Sequence, residues 1–187
     1  MRRLSVFNNM SLDGYFTGDG GDFSWAKDGM DDPEFGAFVS GNASGEGELI
    51  FGRVTYEMMA SYWPTPAAEA AMPQVAAGMN RSRKVVFSRR LAKVDWQNTR
   101  LMQGELVAEV RKLKLESGPG MTILGSGSIT AQLAPTGLID EFQYVVNPVV
   151  LGAGRTLFEG LQQQSALKLV RSRTFKNGKV YLCYVPA

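Results

Sequence analysis

The 187-residue chain carries 20 Lys and Arg against 18 Asp and Glu, a net charge of +2, and 44% hydrophobic residues, which suits one soluble domain, 1–187, with a sizeable core. With no histidine and a single cysteine, it cannot build a Ser-His-Asp triad, a Cys-His pair, a zinc finger or an intramolecular disulfide, so no metal site is expected. The near balance of charge argues against nucleic acid as a partner, and the apolar runs fall far short of the roughly 18 to 20 residues that span a bilayer.

Leu4 to Asn8 reads as a first strand. The basic Arg2-Arg3 is followed by too short an apolar segment for a signal peptide, so a cytoplasmic location is expected. Glu48 to Phe51 reads as a second strand, entered through the glycine-rich Gly41 to Gly47, and Val54 to Tyr62 as a helix stopped before Pro64. Pro66 to Met79 is an alanine-rich helical stretch that Pro73 divides or kinks. Lys84 to Ser88 is a third strand. Glu105 to Leu115, with Leu106, Val110 and Leu113 on one face, is an amphipathic helix. Met121 to Leu124 is a fourth strand, and Ser128 to Leu133 opens another helix. Glu141 to Leu151, Ala166 to Phe175 and Lys179 to Val185 then read as strands, with Cys183 a buried filler in the last and Asn177-Gly178 the signal of a type I′ hairpin. The implied fold is α/β: a mixed, mostly parallel central sheet with helices on both faces, ending in an antiparallel C-terminal hairpin.

Three polar segments follow β-like runs: Gly52-Arg53-Val54-Thr55-Tyr56-Glu57, Phe87-Ser88-Arg89-Arg90 and Gly125-Ser126-Gly127-Ser128-Ile129-Thr130. Loops at the carboxyl ends of strands form the ligand crevice of an open α/β sheet, and helix N-termini there offer N–H groups to phosphate. Three such loops suggest one extended, phosphate-bearing ligand. A hydroxyl beside two guanidinium groups suits a dianionic monophosphate, which favours NADPH over NADH. Each loop also has a plain structural reading. Gly125 to Ser128 can be a tight turn with Ser128 as N-cap, Arg53 can pair with Glu57, Thr55 can cap its helix, and Ser88 to Arg90 can be a solvated turn.

The first segment closely resembles the Gly-Arg-x-Thr-Trp-Glu signature of dihydrofolate reductases, and the other two follow in that fold's order. The chain is more similar still to the reductase domain of bifunctional riboflavin-biosynthesis proteins, through Ser11-Leu12-Asp13-Gly14, Leu138-Ile139-Asp140-Glu141 and Asn147-Pro148-Val149-Val150-Leu151-Gly152-Ala153-Gly154. The resemblance runs from Leu4 to Tyr184 and implies a dihydrofolate reductase-like, three-layer α/β/α domain.

It also implies site roles. Gly52, Arg53 and Thr55 would contact cofactor phosphates, Ser88 and Arg89 would take the adenosine 2′-phosphate, and Gly125, Ser126, Gly127, Ser128 and Ile129 would cradle the pyrophosphate. Asn8, Ser11, Asp13 and Gly14 would lie beside the nicotinamide and the reacting carbon, with Ser11 and Asp13 as catalytic candidates. Asp13 would orient substrate or relay a proton, although Asp-Gly is also an ordinary turn. Phe16, Trp25, Gly152 and Gly154 are the substrate-side candidates. The loop Gly18 to Asp22 before Phe23-Ser24-Trp25 reads either as a glycine-hinged lid or as a surface loop whose aromatics anchor in the core.

Folate reductases bind the pteridine with a helical carboxylate, for which Asp31, Asp32 and Glu34 are stand-ins here. The zinc site of a deaminase domain has no residues to form it. The expected activity is NADPH-dependent hydride transfer to a small heterocyclic substrate, 5-amino-6-(5-phosphoribosylamino)uracil or a related pyrimidine or pterin. The alternatives are a non-catalytic NADP-binding module or assembly subunit, and a dihydrofolate reductase proper. The resemblance further implies a homodimer, although helices covering both faces of the sheet would explain the apolar strands as well.

Overall fold

The computed structural model describes residues 1–43 and 47–187. Among these residues, eight strands form one sheet: β1 (Leu4–Ser11), β2 (Glu48–Gly52), β3 (Arg83–Phe87), β4 (Thr99–Met102), β5 (Met121–Leu124), β6 (Glu141–Asn147), β7 (Leu167–Thr174) and β8 (Val180–Pro186). Their order is β4-β3-β2-β5-β1-β6-β8-β7. The first six are parallel, and β8 runs against both β6 and β7. The helices are α1 (Pro33–Ala43), α2 (Arg53–Tyr62), α3 (Pro66–Ala71), α4 (Pro73–Arg81), α5 (Leu106–Leu115) and α6 (Gly127–Leu133).

The two-residue period of the strands divides the core into two layers. Val85, Ile50, Ile123, Val6 and Phe142 are register neighbours across β3, β2, β5, β1 and β6. They pack on Leu106, Val110 and Leu113 of α5 and Ile129 and Leu133 of α6. The alternate row, Val86, Phe51, Leu124 and Phe7, faces the other way. There it meets Tyr56 of α2, Val75 and Met79 of α4 and, through Val145, Tyr181 and Cys183, Phe35 of α1. Cys183 is fully buried, as its place in an apolar strand suggests.

Several elements differ from the sequence expectation. Strand β1 runs to Ser11 rather than stopping at Asn8, because β6 continues beside it as far as Ser11↔Asn147. Strand β6 ends at Asn147, where Pro148 cannot donate to a ladder. Pro73 divides the alanine-rich stretch cleanly, opening α4 at its first position. Gly41 to Ala43 are the end of α1, and 44–46, the remainder of the expected glycine-rich entry before Gly47, lie outside the described residues.

Helix α1 has two internal glycines that weaken its propensity. It is held by Asp32, whose carboxylate accepts from the Glu34 and Phe35 N–H groups and from that of Asn177, and by Phe35 and Phe38, whose rings meet Phe175 edge-on and tilted. The C-terminal hairpin is not type I′. Only Gly178 has a positive φ, Gly178 N–H donates to Phe175 O and Phe175 N–H to Lys179 O, the pattern of a three-residue loop with a left-handed glycine.

Candidate functional site

Strand β1 sends its connection to α1 on one side of the sheet, while its neighbour β5 sends its connection to α6 on the other. Adjacent strands whose connections part in this way leave a crevice at their carboxyl ends, the usual ligand position in an open α/β sheet. The β1 and β5 ladder ends at Phe7↔Leu124, yet β1 continues four residues further beside β6. Among the described residues the β5-facing edge of Asn8 to Ser11 therefore has no strand partner, and the crevice opens there.

Two of the sequence-singled loops are stitched together at its rim. Ser126 stands at the N-cap of α6 in the left-handed conformation, φ 56°. Its Oγ accepts from Gly52 N–H at 2.8 Å and donates to Leu124 O at 3.1 Å, while its own N–H donates to Thr55 Oγ1 at 3.1 Å. Ser128, expected as the cap, is instead an exposed residue inside α6, and Thr55 caps nothing because the N-cap of α2 is Gly52. Among the described residues no side chain caps α2, so its first-turn N–H groups have no side-chain acceptor. Arg53 pairs with Glu57 at 2.6 Å one turn on. Gly125 lies so close to Thr55 that an added Cβ would meet Thr55 Cγ2 at 3.1 Å.

The second loop lies on the outer side of the same end of the sheet. Ser88 Oγ accepts from the Arg90 and Leu91 N–H groups, and Arg89 is exposed beside Glu105, which caps α5 through the Val107 and Ala108 N–H groups. Arg89 and Arg90 are both exposed at this loop, Arg89 with the Glu105 carboxylate in its field.

The opposite wall is built from two segments far apart in sequence. Leu12 N–H donates to Val149 O, Phe16 N–H to Arg155 O and Arg155 N–H to Thr17 O, closing an isolated antiparallel bridge. Asp13 completes this zip by accepting from Gly152 N–H at 2.8 Å and Leu151 N–H at 3.1 Å. The Ser11 hydroxyl first, then these backbone N–H groups, hold the Asp13 carboxyl down to about 2. The group is therefore ionised throughout the neutral range. Its acceptor capacity goes to the 151–152 turn, which suits orienting a wall better than relaying a proton. Gly154 is where the two backbones come closest: a Cβ there would stand 2.1 Å from Thr17 O.

The aromatic candidates are anchored inward. Phe16 is buried on α6, where its Cζ would be 2.6 Å from a Cβ at Gly127, and the Arg155 guanidinium lies over its ring. Trp25 is buried too, donating its indole N–H to Asp22 O and meeting Phe23 edge-on. This is the core-anchoring arrangement of the Gly18 to Trp25 loop. Gly152 is exposed at the turn tip, with positive φ. Of the stand-in carboxylates, Asp32 caps α1 and Glu34 pairs with Arg173 at 2.6 Å, while Asp31 is exposed.

Sequence reasoning missed a buried polar knot on the α1 side of the crevice. Lys179 Nζ donates to Asn147 Oδ1 and Ala26 O, and Asn147 Nδ2 donates to Asn9 Oδ1 and Met10 O. Burial pushes the Lys179 ammonium pKa down, and Asp28 opposes this. Asn147 carried a signal in its place before Pro148; Lys179 beside the hairpin turn carried none.

The rim of the crevice thus carries the N-terminus of the ten-residue α2, the close-packed Gly125 and the exposed Arg89 guanidinium, and among the described residues the buried Asn8 Nδ2 has no hydrogen-bond partner. Among the described residues, no helix is long and apolar enough to cross a membrane, and no group of His, Cys, Asp and Glu is placed to hold a metal ion.

Comparison with known proteins agrees with this architecture. The Bacillus subtilis (strain 168) protein YyaP, itself uncharacterized, is 30% identical over 183 residues, covering 98% of this chain and 94% of YyaP. A dihydrofolate reductase of Enterococcus faecalis, solved in complex with NADP(H), superposes with a TM-score of 0.65 at 16% identity, covering 98% of this chain and 96% of the other. A Thermotoga maritima diaminohydroxyphosphoribosylaminopyrimidine deaminase/5-amino-6-(5-phosphoribosylamino)uracil reductase gives a TM-score of 0.71 at 14% identity, all of this chain matching 57% of that one. The fold is thus dihydrofolate reductase-like. The model of the RibD C-terminal domain matches residues 2–181, and the chain belongs to that reductase-like family.

Proposed function

We propose that this protein is an NADPH-dependent reductase that transfers hydride to a pyrimidine- or pterin-type heterocycle, with 5-amino-6-(5-phosphoribosylamino)uracil as the type substrate. The observation that carries the reading is the convergence of the open α2 N-terminus, the stitched β5–α6 turn and the exposed Arg89 around the gap between β1 and β5. Helix N–H groups and a guanidinium are the donors that phosphate takes. When bound, the cofactor supplies the hydride. The chain's own part is to bind, align and exclude water. Thr55 and Ser126 hold the phosphate-side turns in register, Arg89 distinguishes a 2′-phosphate from a ribose hydroxyl, and the ionised Asp13 fixes the wall against which the substrate lies. The protein acts in this reading as a cytoplasmic homodimer, which sedimentation at micromolar concentration checks; a monomer removes that part.

The test is a titration with NADPH and, separately, NADH, following quenching of Trp25, Trp63 and Trp96. Tight NADPH binding that Arg89→Ala weakens by tenfold or more, with NADH little changed, is expected. Equal effects on the two cofactors would remove the 2′-phosphate assignment, and no binding of either would remove the reductase reading. A non-catalytic NADP-binding module has one specific observation in its favour: Asp13 is fully engaged and ionised, so it offers no proton near neutrality. Tight NADPH binding without heterocycle-dependent oxidation would select that reading.

A further inference from the structure

At the end of the sheet opposite the crevice, the starts of β2, β3 and β4 and the end of α5 border an open cleft of about 360 Å³, a volume in the range of small-molecule sites. Glu48 begins β2 and Gly52 ends it, so at roughly 3.3 Å per residue about 13 Å of strand separates this cleft from the crevice rim. Three guanidiniums converge on it. Arg2 is a fixed floor: its side chain is only 5% exposed, and it donates to Glu48 Oε2 and Pro119 O, both at 2.7 Å. Arg83 and Arg100 are exposed and stand on the α5 side of the sheet. Arg83 lies two residues before Val85, Arg100 is the register partner of Val85, and Val85 belongs to the layer packed on α5.

The carboxylates of the cleft do not match these cations. Glu48 is neutralised by Arg2 in the buried pair. Glu116, at the C-cap of α5, stands 3.8 Å from Arg2 and 3.7 Å from Arg100, near enough to attract both and too far to accept a hydrogen bond from either. It also sits at the negative end of the α5 dipole, an unfavourable place for a carboxylate. Among the described residues Arg83 has no carboxylate within ion-pair distance, and neither the Arg83 nor the Arg100 guanidinium donates a hydrogen bond to the protein. Closing α5 does not require them, because Glu116 N–H donates to Lys112 O and Leu113 O and Arg2 N–H to Lys114 O. Lys84 adds no free charge, since its ammonium is engaged by Met79 O, Asn80 O and Ser82 O.

We propose that this cleft binds a small phosphate-bearing molecule, with the phosphate held by the Arg83 and Arg100 guanidiniums over the buried Arg2. Planar guanidiniums with free N–H groups are the donors that a phosphate dianion takes bidentately. The hydroxyls of Thr99 and Ser117, which also line the cleft, offer neutral partners to the remainder of the molecule. Glu116 is the displaceable counter-ion. A phosphate brings more charge than a carboxylate and accepts the hydrogen bonds that Glu116 does not reach, and Glu116, already 46% exposed, turns out to water. This site stands apart from the crevice and does not depend on the reductase reading.

The experiment follows the amide resonances of Thr99, Arg100 and Ser117 while the protein is titrated with inorganic phosphate and, separately, with ribose 5-phosphate at constant ionic strength. Saturable shifts with a Kd of about 1 mM or below are expected for at least one of the two. Arg83→Ala and Arg100→Ala, both at exposed positions, should each weaken binding roughly tenfold, as for a lost charge-assisted hydrogen bond. Glu116→Gln should tighten it by roughly threefold or more, because a competing charge is gone; a folding defect does not produce tighter binding. Tighter binding of ribose 5-phosphate than of phosphate identifies a monoester as the ligand, and equal binding identifies the free anion. Shifts that stay linear to about 20 mM with both probes would overturn the site. So would binding that R83A and R100A leave unchanged, or an E116Q protein that binds no more tightly than wild type. Saturation that Arg89→Ala abolishes would place the phosphate in the crevice and overturn it as well.

Discussion

Replacing Ser126 by Ala tests whether the two phosphate-side turns are held as one unit. The hydroxyl is buried and makes two bonds, accepting from Gly52 N–H at 2.8 Å and donating to Leu124 O at 3.1 Å. Alanine keeps the φ of 56° and its strain, so only the hydroxyl is removed. The Gly52 N–H is left partly buried without its acceptor, a loss of about 1 to 2 kcal/mol. At about 2 to 4 °C per kcal/mol for a domain of this size, Tm should fall by roughly 2 to 8 °C. Ser126→Gly loses the same bonds but relieves the left-handed strain, so it should recover about 1 kcal/mol of that loss. Thermal denaturation of the three proteins, paired with the NADPH titration, gives both readouts. Equal Tm for wild type and S126A would refute the stitching argument, and S126G less stable than S126A would refute the strain argument.

Three further outcomes follow from other parts of the molecule. The Leu151 and Gly152 amide resonances should titrate with a midpoint near 2, because they report on Asp13. A depressed carboxyl pKa gives stability above the unfolded value that is lost as pH falls toward the folded one, so the wall loosens between about pH 4 and 2; a midpoint at 3.8 or above would contradict this. Gly154→Ala places a Cβ against Thr17 O, where backbone rather than a mobile side chain must yield, so it should lower Tm by more than 5 °C, roughly 2 kcal/mol or more, and open 14–22 to protease; a wild-type Tm would refute the close approach. Lys84 is buried, with Nζ donating to Met79 O, Asn80 O and Ser82 O, and burial pushes its pKa down to about 8. Between about pH 8 and 10.5 the unfolded chain binds the extra proton, so the stability margin of wild type over Lys84→Met should widen with pH; a constant or shrinking margin would count against the assignment.

The parts of the fold legible in the sequence were those where local chemistry and tertiary burial agree. The amphipathic α5, the break at Pro73, β5 and the C-terminal strands all carried their period or punctuation openly. Helix α1 and strand β4 did not. The first owes its existence to Asp32 and to aromatic contacts with a hairpin more than 130 residues away, and the second is a four-residue edge strand with no apolar alternation. The loops at the crevice rim were legible as strand-end turns because glycine and hydroxyl residues punctuate the ends of strands. What they do to one another was not, since Ser126 and Thr55 meet only once β2 and β5 are neighbours. Asn147 stood out beside Pro148, but its partner Lys179 lay hidden for the same reason: a buried polar side chain beside a strand gives no hint of which face it takes or who waits there.

The crevice wall joins 12–17 to 149–155 through backbone bonds and one carboxylate. Neither segment therefore has a shape of its own that could be moved to another protein or exchanged between relatives. A graft that brings only the loop after β1 would leave Asp13 without its turn, and one that brings only the loop after β6 would leave Gly154 facing a backbone of the wrong path. Altering which molecule this site accepts is a matter of replacing two distant stretches together, so variation at one should be legible only in the company of the other.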